Sequence, residues 1–101
     1  MVHYRTQTRI VADVLRAARD SNTAGDGVGI STLIRKGNMS YSRTIKLVGE
    51  LVGAGLLVEV VEKEDEVRLA PSRYRISKKG VEFLHTYAQF DEFAQMFGLQ
   101  L

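Results

Sequence analysis

The sequence predicts an α+β fold that is mainly helical: a helix-turn-helix with a two-stranded wing and a long C-terminal helix. Three observations predict it. Two amphipathic stretches between residues 31 and 53 are split by Gly37-Asn38, a pair that tolerates positive φ. Gly55-Leu56-Leu57 then leads into a β-rich segment, and a charged connection separates it from the alternating run Arg73, Tyr74, Arg75, Ile76. Beyond Ser77, apolar residues recur at helical spacing to the end of the chain.

The elements follow in order. Over residues 8–21, Ile10, Val11, Val14, Leu15 and Ala18 form the apolar stripe of an amphipathic helix, with Arg9, Asp13 and Arg16 on the other face. Residues 22–29 are rich in Gly, Asn and Asp and predict a loop. The loop resembles a phosphate-cradling glycine turn only superficially, because a helix and not a strand precedes it. Ser31 is the expected cap of a short helix through Lys36, with Leu33 and Ile34 turned inward and Met39 beneath the turn. Ser40 caps the next helix, 41–53, whose inward face is Thr44, Leu47, Val48 and Leu51 and whose outward face is Ser42, Arg43, Lys46 and Glu50. Gly53 and Gly55 stop it. Residues 57–62 and 73–77 are expected to pair antiparallel, with 67–69 extending the hairpin or forming its loop, and Pro71, the single proline, marks an edge or turn.

Ser77 caps the last helix, expected from 78 to about 98. Gly80, Phe83, Tyr87, Phe90, Ala94, Phe97 and Leu101 recur at alternating steps of three and four, a heptad seam with Phe at d and Gly, Tyr, Ala and Leu at a. Such a helix spans ~30 Å. A small winged helix needs only its first turns, which leaves Phe90, Phe93 and Phe97 in water. Burying a large side chain is worth roughly 1.5–3 kcal/mol, so a second copy related by a two-fold axis is the expected partner. The expected dimer interface is Phe83, Tyr87, Phe90, Ala94, Phe97 and Leu101. The chain then divides into residues 1–77, the helix-turn-helix and wing, and 78–101, the dimerisation helix, within one continuous domain.

Composition narrows the function classes. At 101 residues there is room for one core, and with no Trp and 8% aromatic residues it must be aliphatic. The absence of Cys excludes disulfides and thiolate metal sites, and is expected of a reducing compartment. No apolar run suits a signal peptide or a membrane span, so the expected location is cytoplasmic and nucleoid-associated. Net charge is only +2, but its distribution is uneven. Residues 1–61 carry eight basic and five acidic side chains, whereas residues 62–101 carry six and seven. The positive excess lies with the helix-turn-helix, where phosphate would need it.

In order and residues the chain resembles small archaeal winged-helix DNA-binding proteins, a group that includes predicted transcriptional regulators and a chromatin-associated branch. The matching residues are Met39-Ser40-Tyr41 ahead of the recognition helix, Gly55-Leu56-Leu57 leading to the wing, and Tyr74-Arg75-Ile76-Ser77-Lys78-Lys79-Gly80 at the junction with the last helix. The resemblance implies binding to double-stranded DNA by the second helix of the motif and dimerisation through an antiparallel coiled coil of the C-terminal helices. By position, Ser40, Tyr41, Ser42, Arg43 and Lys46 would face DNA. The connection Glu62-Lys63-Glu64-Asp65-Glu66 departs from that plan, since an acidic tip repels phosphate. Arg68 or Arg73 is then the expected wing contact.

Residue chemistry agrees with that assignment. Arg43 suits the O6 and N7 edge of guanine and Lys46 a phosphate. Ser40, Tyr41 and Ser42 stand at a helix N-terminus, where backbone amides and the dipole favour an anion, although Ser40 serves equally as a cap. Arg35 and Lys36 are candidate backbone contacts at the end of the preceding helix. His3 and His85 are isolated, Asp91-Glu92 point to different sides of a helix, and no nucleophile, cofactor fingerprint or metal-ligand spacing occurs. A non-enzymatic DNA-binding regulator without a cofactor is expected. The alternatives are a nonspecific architectural chromatin protein and a winged helix used for protein–protein contact.

Overall fold

The computed structural model describes residues 5–60 and 72–99. Its elements are α1 (Gln7–Asp20), β1 (Val28–Gly29), α2 (Ile30–Gly37), α3 (Tyr41–Gly53), β2 (Leu57–Val60), β3 (Arg73–Ile76) and α4 (Lys78–Gln95). The fold is a winged helix-turn-helix: α2 and α3 form the helical motif, and β2 and β3 are the wing strands. The expected contributions of Glu62–Glu66, 67–69 and Pro71 to the wing lie outside the described residues, as do His3, Arg68 and Leu101.

α1 is the centre of the core. The Thr6 hydroxyl caps it by accepting from the Arg9 amide at 3.0 Å. Val14, Leu15 and Ala18 are buried and Ile10 and Val11 partly so, as their spacing predicts. Around this stripe pack Leu33 of α2, Leu47, Val48 and Leu51 of α3, Leu57 of β2, and Leu84 and Tyr87 of α4. On the outer face of α1, Asp13 pairs with Arg5 at 2.8 Å and Arg16 at 3.0 Å, with Arg9 at 3.8 Å. Arg5 also donates to the Asn38 carbonyl in the helix-turn-helix turn.

Two expectations around α2 need correction. The helix starts at Ile30 and its cap is Gly29, so Ser31 lies inside it. Extended Gly29 (ψ 161°) already breaks the helix there because it belongs to a strand. That strand, β1, replaces part of the expected loop: Val28 and Gly29 pair antiparallel with Tyr74 and Arg73, giving a three-stranded sheet in the order β1-β3-β2. Gly27 makes the close approach possible. Its φ is +97°, and a Cβ there would lie 3.1 Å from the Tyr74 carbonyl oxygen. Asn38 alone takes the left-handed conformation, φ 54° and ψ 51°, that ends α2.

α3 follows its prediction closely. Ser40 Oγ accepts from the Arg43 amide, and Thr44, Leu47, Val48 and Leu51 are buried. Thr44, a hydroxyl in the core, is satisfied by donating to the Ser40 carbonyl at 2.8 Å. β2 pairs with β3 in register Leu57 to Ile76.

The start of α4 is locked to the exit of α3. Ser77 Oγ donates to the Gly55 carbonyl at 2.6 Å and accepts from the Gly80 amide at 3.0 Å. Gly80 is buried, and a Cβ on it would collide with the Leu56 carbonyl and the Ile76 side chain. Its place in the heptad therefore reflects backbone contact within the chain. α4 ends at Gln95, short of the expected 98, where the chain reverses through Gly98 (φ +72°) and the Leu99 amide donates to the Ala94 carbonyl.

The seam expected along α4 splits in two. Its described a positions turn into the protomer: Gly80 is buried, and Tyr87 and Ala94 are only 5% and 3% exposed. At d, Phe83 is half-buried on the core, while Phe90 and Phe97 are 56% and 66% exposed. Tyr87 and Ala94 thus have almost no surface left for a partner. Phe93, outside the heptad, is 57% exposed and packs edge-on against Phe97 at 5.2 Å between ring centroids. Phe90, Phe93 and Phe97 form an outward stripe about a quarter turn from the core face.

Candidate nucleic-acid interface

The exposed side of α3 follows from the packing of its other side. At 3.6 residues per turn, burial of Thr44, Leu47, Val48 and Leu51 drives Ser42, Arg43, Lys46 and Glu50 outward. Arg43 and Lys46 have no ion pair among the described residues. They line an open groove of about 220 Å³ with Gln7 and Ile10 of α1, Met39, Leu47 and Glu50. The groove runs between the start of α1 and the outer face of α3, so the two cations sit at a surface and not inside the protein. Glu50 places one carboxylate at its far end.

The N-terminus of α3 is equally open. Ser40 is exposed and Tyr41 is 65% exposed. The Ser40 hydroxyl is engaged with the Arg43 amide at 3.3 Å, so capping is its visible role. The first-turn amides carry the positive end of the helix dipole.

Other predicted contacts separate from this surface. Arg35 and Lys36 are exposed in the last turn of α2, where cations favour the helix C-terminus. Lys36 lines a shallow pocket with Asp13, Arg16 and Asp20 of α1, a surface of mixed charge. Arg73 has partners of its own: its Nη2 donates to the Gly27 carbonyl at 2.8 Å and lies 3.6 Å from Asp26, while the residue stays exposed. That guanidinium fastens the α1–α2 loop to the wing strand, and pairing it with Asp26 weakens its attraction for phosphate. Arg68 lies outside the described residues.

One surface residue was missed from the sequence. Ile45, on α3, is 41% exposed beside Tyr41 one turn earlier. The i, i+4 pair Tyr41/Ile45 was the available signal. Ile45 was assigned to neither face, because the outer face was read for its polar and charged side chains.

Arg19 holds Asp20 below the usual carboxylate range through a direct hydrogen bond, at 2.7 Å from Nε, well away from α3. Among the described residues no cluster of His, Asp or Glu is arranged to hold a metal ion, and no helix is long and apolar enough to cross a membrane.

No protein-family model matches the chain, and no curated protein sequence matches it significantly. Solved structures do match in fold. Sso10a-2, a DNA-binding protein from Sulfolobus solfataricus, superposes with a TM-score of 0.70 at 22% identity, covering 92% of this chain and 85% of that one. A point mutant of MepR from S. aureus, bound to an oligodeoxyribonucleotide, gives 0.66 at 16% identity, covering 91% of this chain and 64% of its own. A putative DNA-binding protein from Ralstonia eutropha gives 0.56 at 14% identity over 77% of this chain and 93% of that one. At these identities the likeness is one of fold.

Proposed function

We propose that this protein binds double-stranded DNA as a homodimeric transcriptional regulator, with α3 of each protomer in a major groove. The observation that carries the reading is the outer face of α3. Arg43 and Lys46 stand exposed on the second helix of the helix-turn-helix, beside the open N-terminus of that helix. A helix of this size fits the major groove, where Arg can bond guanine and Lys can neutralise phosphate. The DNA-bound and DNA-binding proteins of the same fold support it.

Dimerisation belongs to the same proposal, with a revised surface. Phe90, Phe93 and Phe97, joined by Met96 and Leu99, are exposed at the end of an elongated molecule 54 Å in its longest dimension. A second copy would bury this apolar end and set two recognition helices on one duplex. The low net charge favours a sequence-preferring regulator over an architectural protein, whose affinity would rest on charge alone.

Fluorescence anisotropy with labelled duplexes tests the reading. The Arg43→Ala, Lys46→Ala double variant is expected to lose roughly 1–3 kcal/mol from Arg43 if it reads a base, and to bind with a shallower salt dependence. Unchanged affinity and salt slope would reject the α3 surface. Selection from random duplexes at varied salt separates specific from nonspecific binding.

A further inference from the structure

We infer that Ile45, supported by Tyr41, is a specificity-determining residue of α3 that packs against the C5-methyl group of a thymine. The inference rests on the DNA-binding reading above and deepens it.

Ile45 and Tyr41 lie one turn apart and are 41% and 65% exposed, the two large apolar side chains left in water on α3. They lie on one flank of the exposed side of α3 and Arg43 on the other, with Lys46 and Gly49 between them on its crest, so the cations that would draw a polyanion to this helix and the apolar pair would meet opposite sides of one groove. The surroundings leave room for an approach. One turn beyond Ile45 stands Gly49, where a Cβ would meet nothing within 4 Å, and a further turn on Gly53 is equally open. The outer crest of α3 past Lys46 is therefore low, and Ile45 projects beside it.

The chemistry then narrows the occupant. A cationic helix face seated in a major groove meets base edges made almost entirely of hydrogen-bond donors and acceptors. The thymine methyl is the apolar group exposed there. Ile45 has no donor or acceptor, so it gains from that methyl and loses against a polar edge. Charge complementarity brings in the DNA, and the apolar pair selects within it.

The test uses the full-length protein and a duplex recovered by site selection, prepared with thymine or with deoxyuridine, which keeps the base pairing and removes only the methyl. Wild-type protein is expected to lose about fourfold in affinity when the contacted thymine is replaced, the worth of one buried methyl. Ile45→Ala is expected to bind the thymine duplex more weakly and to lose the thymine–deoxyuridine difference. Circular dichroism checks its folding, and the wild-type comparison stands without it. Equal wild-type affinity for thymine and deoxyuridine at every position would overturn the inference while leaving DNA binding intact. So would an Ile45→Ala variant that keeps the difference. Unchanged DNA affinity with altered self-association would assign the apolar pair to a protein contact and overturn it too. Failure of the wild type to bind any duplex at ~50 mM salt would instead remove the DNA-binding reading on which the inference rests.

Discussion

The two halves of α4 obey one spacing rule and meet opposite fates. In the first half, Gly80, Leu84 and Tyr87 sit in the protomer core, and the Tyr87 ring stacks parallel to Phe83 and lies 5.6 Å from the Arg16 guanidinium carbon. In the second half Phe90, Phe93 and Phe97 point into water, while Ala94 keeps the other ridge buried. The difference teaches that a heptad has two ridges, and one helix can give them to different partners. Here Gly80 and Tyr87 of the a ridge are consumed by the chain's own sheet and α1, while Phe90 and Phe97 of the d ridge leave the body as the helix extends past it.

Substitutions at successive depths can break or sharpen that contrast. Leu84→Ala, in the packed half, should cost about 2–5 kcal/mol by leaving a cavity, seen as a lowered midpoint in urea denaturation. A loss under about 1 kcal/mol would mean that α4 is not part of the core. Gly80→Ala should cost about 1–3 kcal/mol by overpacking, because its methyl group meets the Leu56 carbonyl, which cannot swing aside. A neutral result would show that the junction between sheet and helix is loose.

Arg16→Ala should be milder, about 1 kcal/mol, since it removes a half-exposed ion pair with Asp13 and a cation–π contact with Tyr87. Double-mutant cycles with Tyr87→Leu would separate the two contributions. The smallest effect on the protomer is expected at the far end. Phe90→Asp with Phe97→Asp should leave far-ultraviolet circular dichroism unchanged while sedimentation reports a monomer in place of a dimer. A wild type already monomeric at micromolar concentration would sink the proposed interface.

Legibility varied with the length of the periodic signal. α3 was readable almost residue by residue: Thr44, Leu47, Val48 and Leu51 are inside as their spacing required, and Ser40 caps as expected. β1 was not readable, because two residues cannot display a period and their strand character comes wholly from pairing with Tyr74 and Arg73. The tie that holds Arg73 was hidden for a related reason. Its partners, Gly27 and Asp26, are far away in sequence, and nothing local to the wing strand signals them. Leu84 was overlooked because the heptad drew attention to Phe83 and Tyr87 on either side of it.

The amino-acid order alone determined the succession of the four helices and the two wing strands, the serine caps of α3 and α4, and the cationic outer face of α3. Each of these follows from steric and hydrogen-bonding preferences that act within a few residues. Tertiary structure alone decided which ridge of α4 is buried, that a third strand joins the wing, and that Arg73 ties the wing strand to the α1–α2 loop. Those outcomes depend on which distant surfaces meet, and burial takes whichever apolar face the rest of the chain can reach.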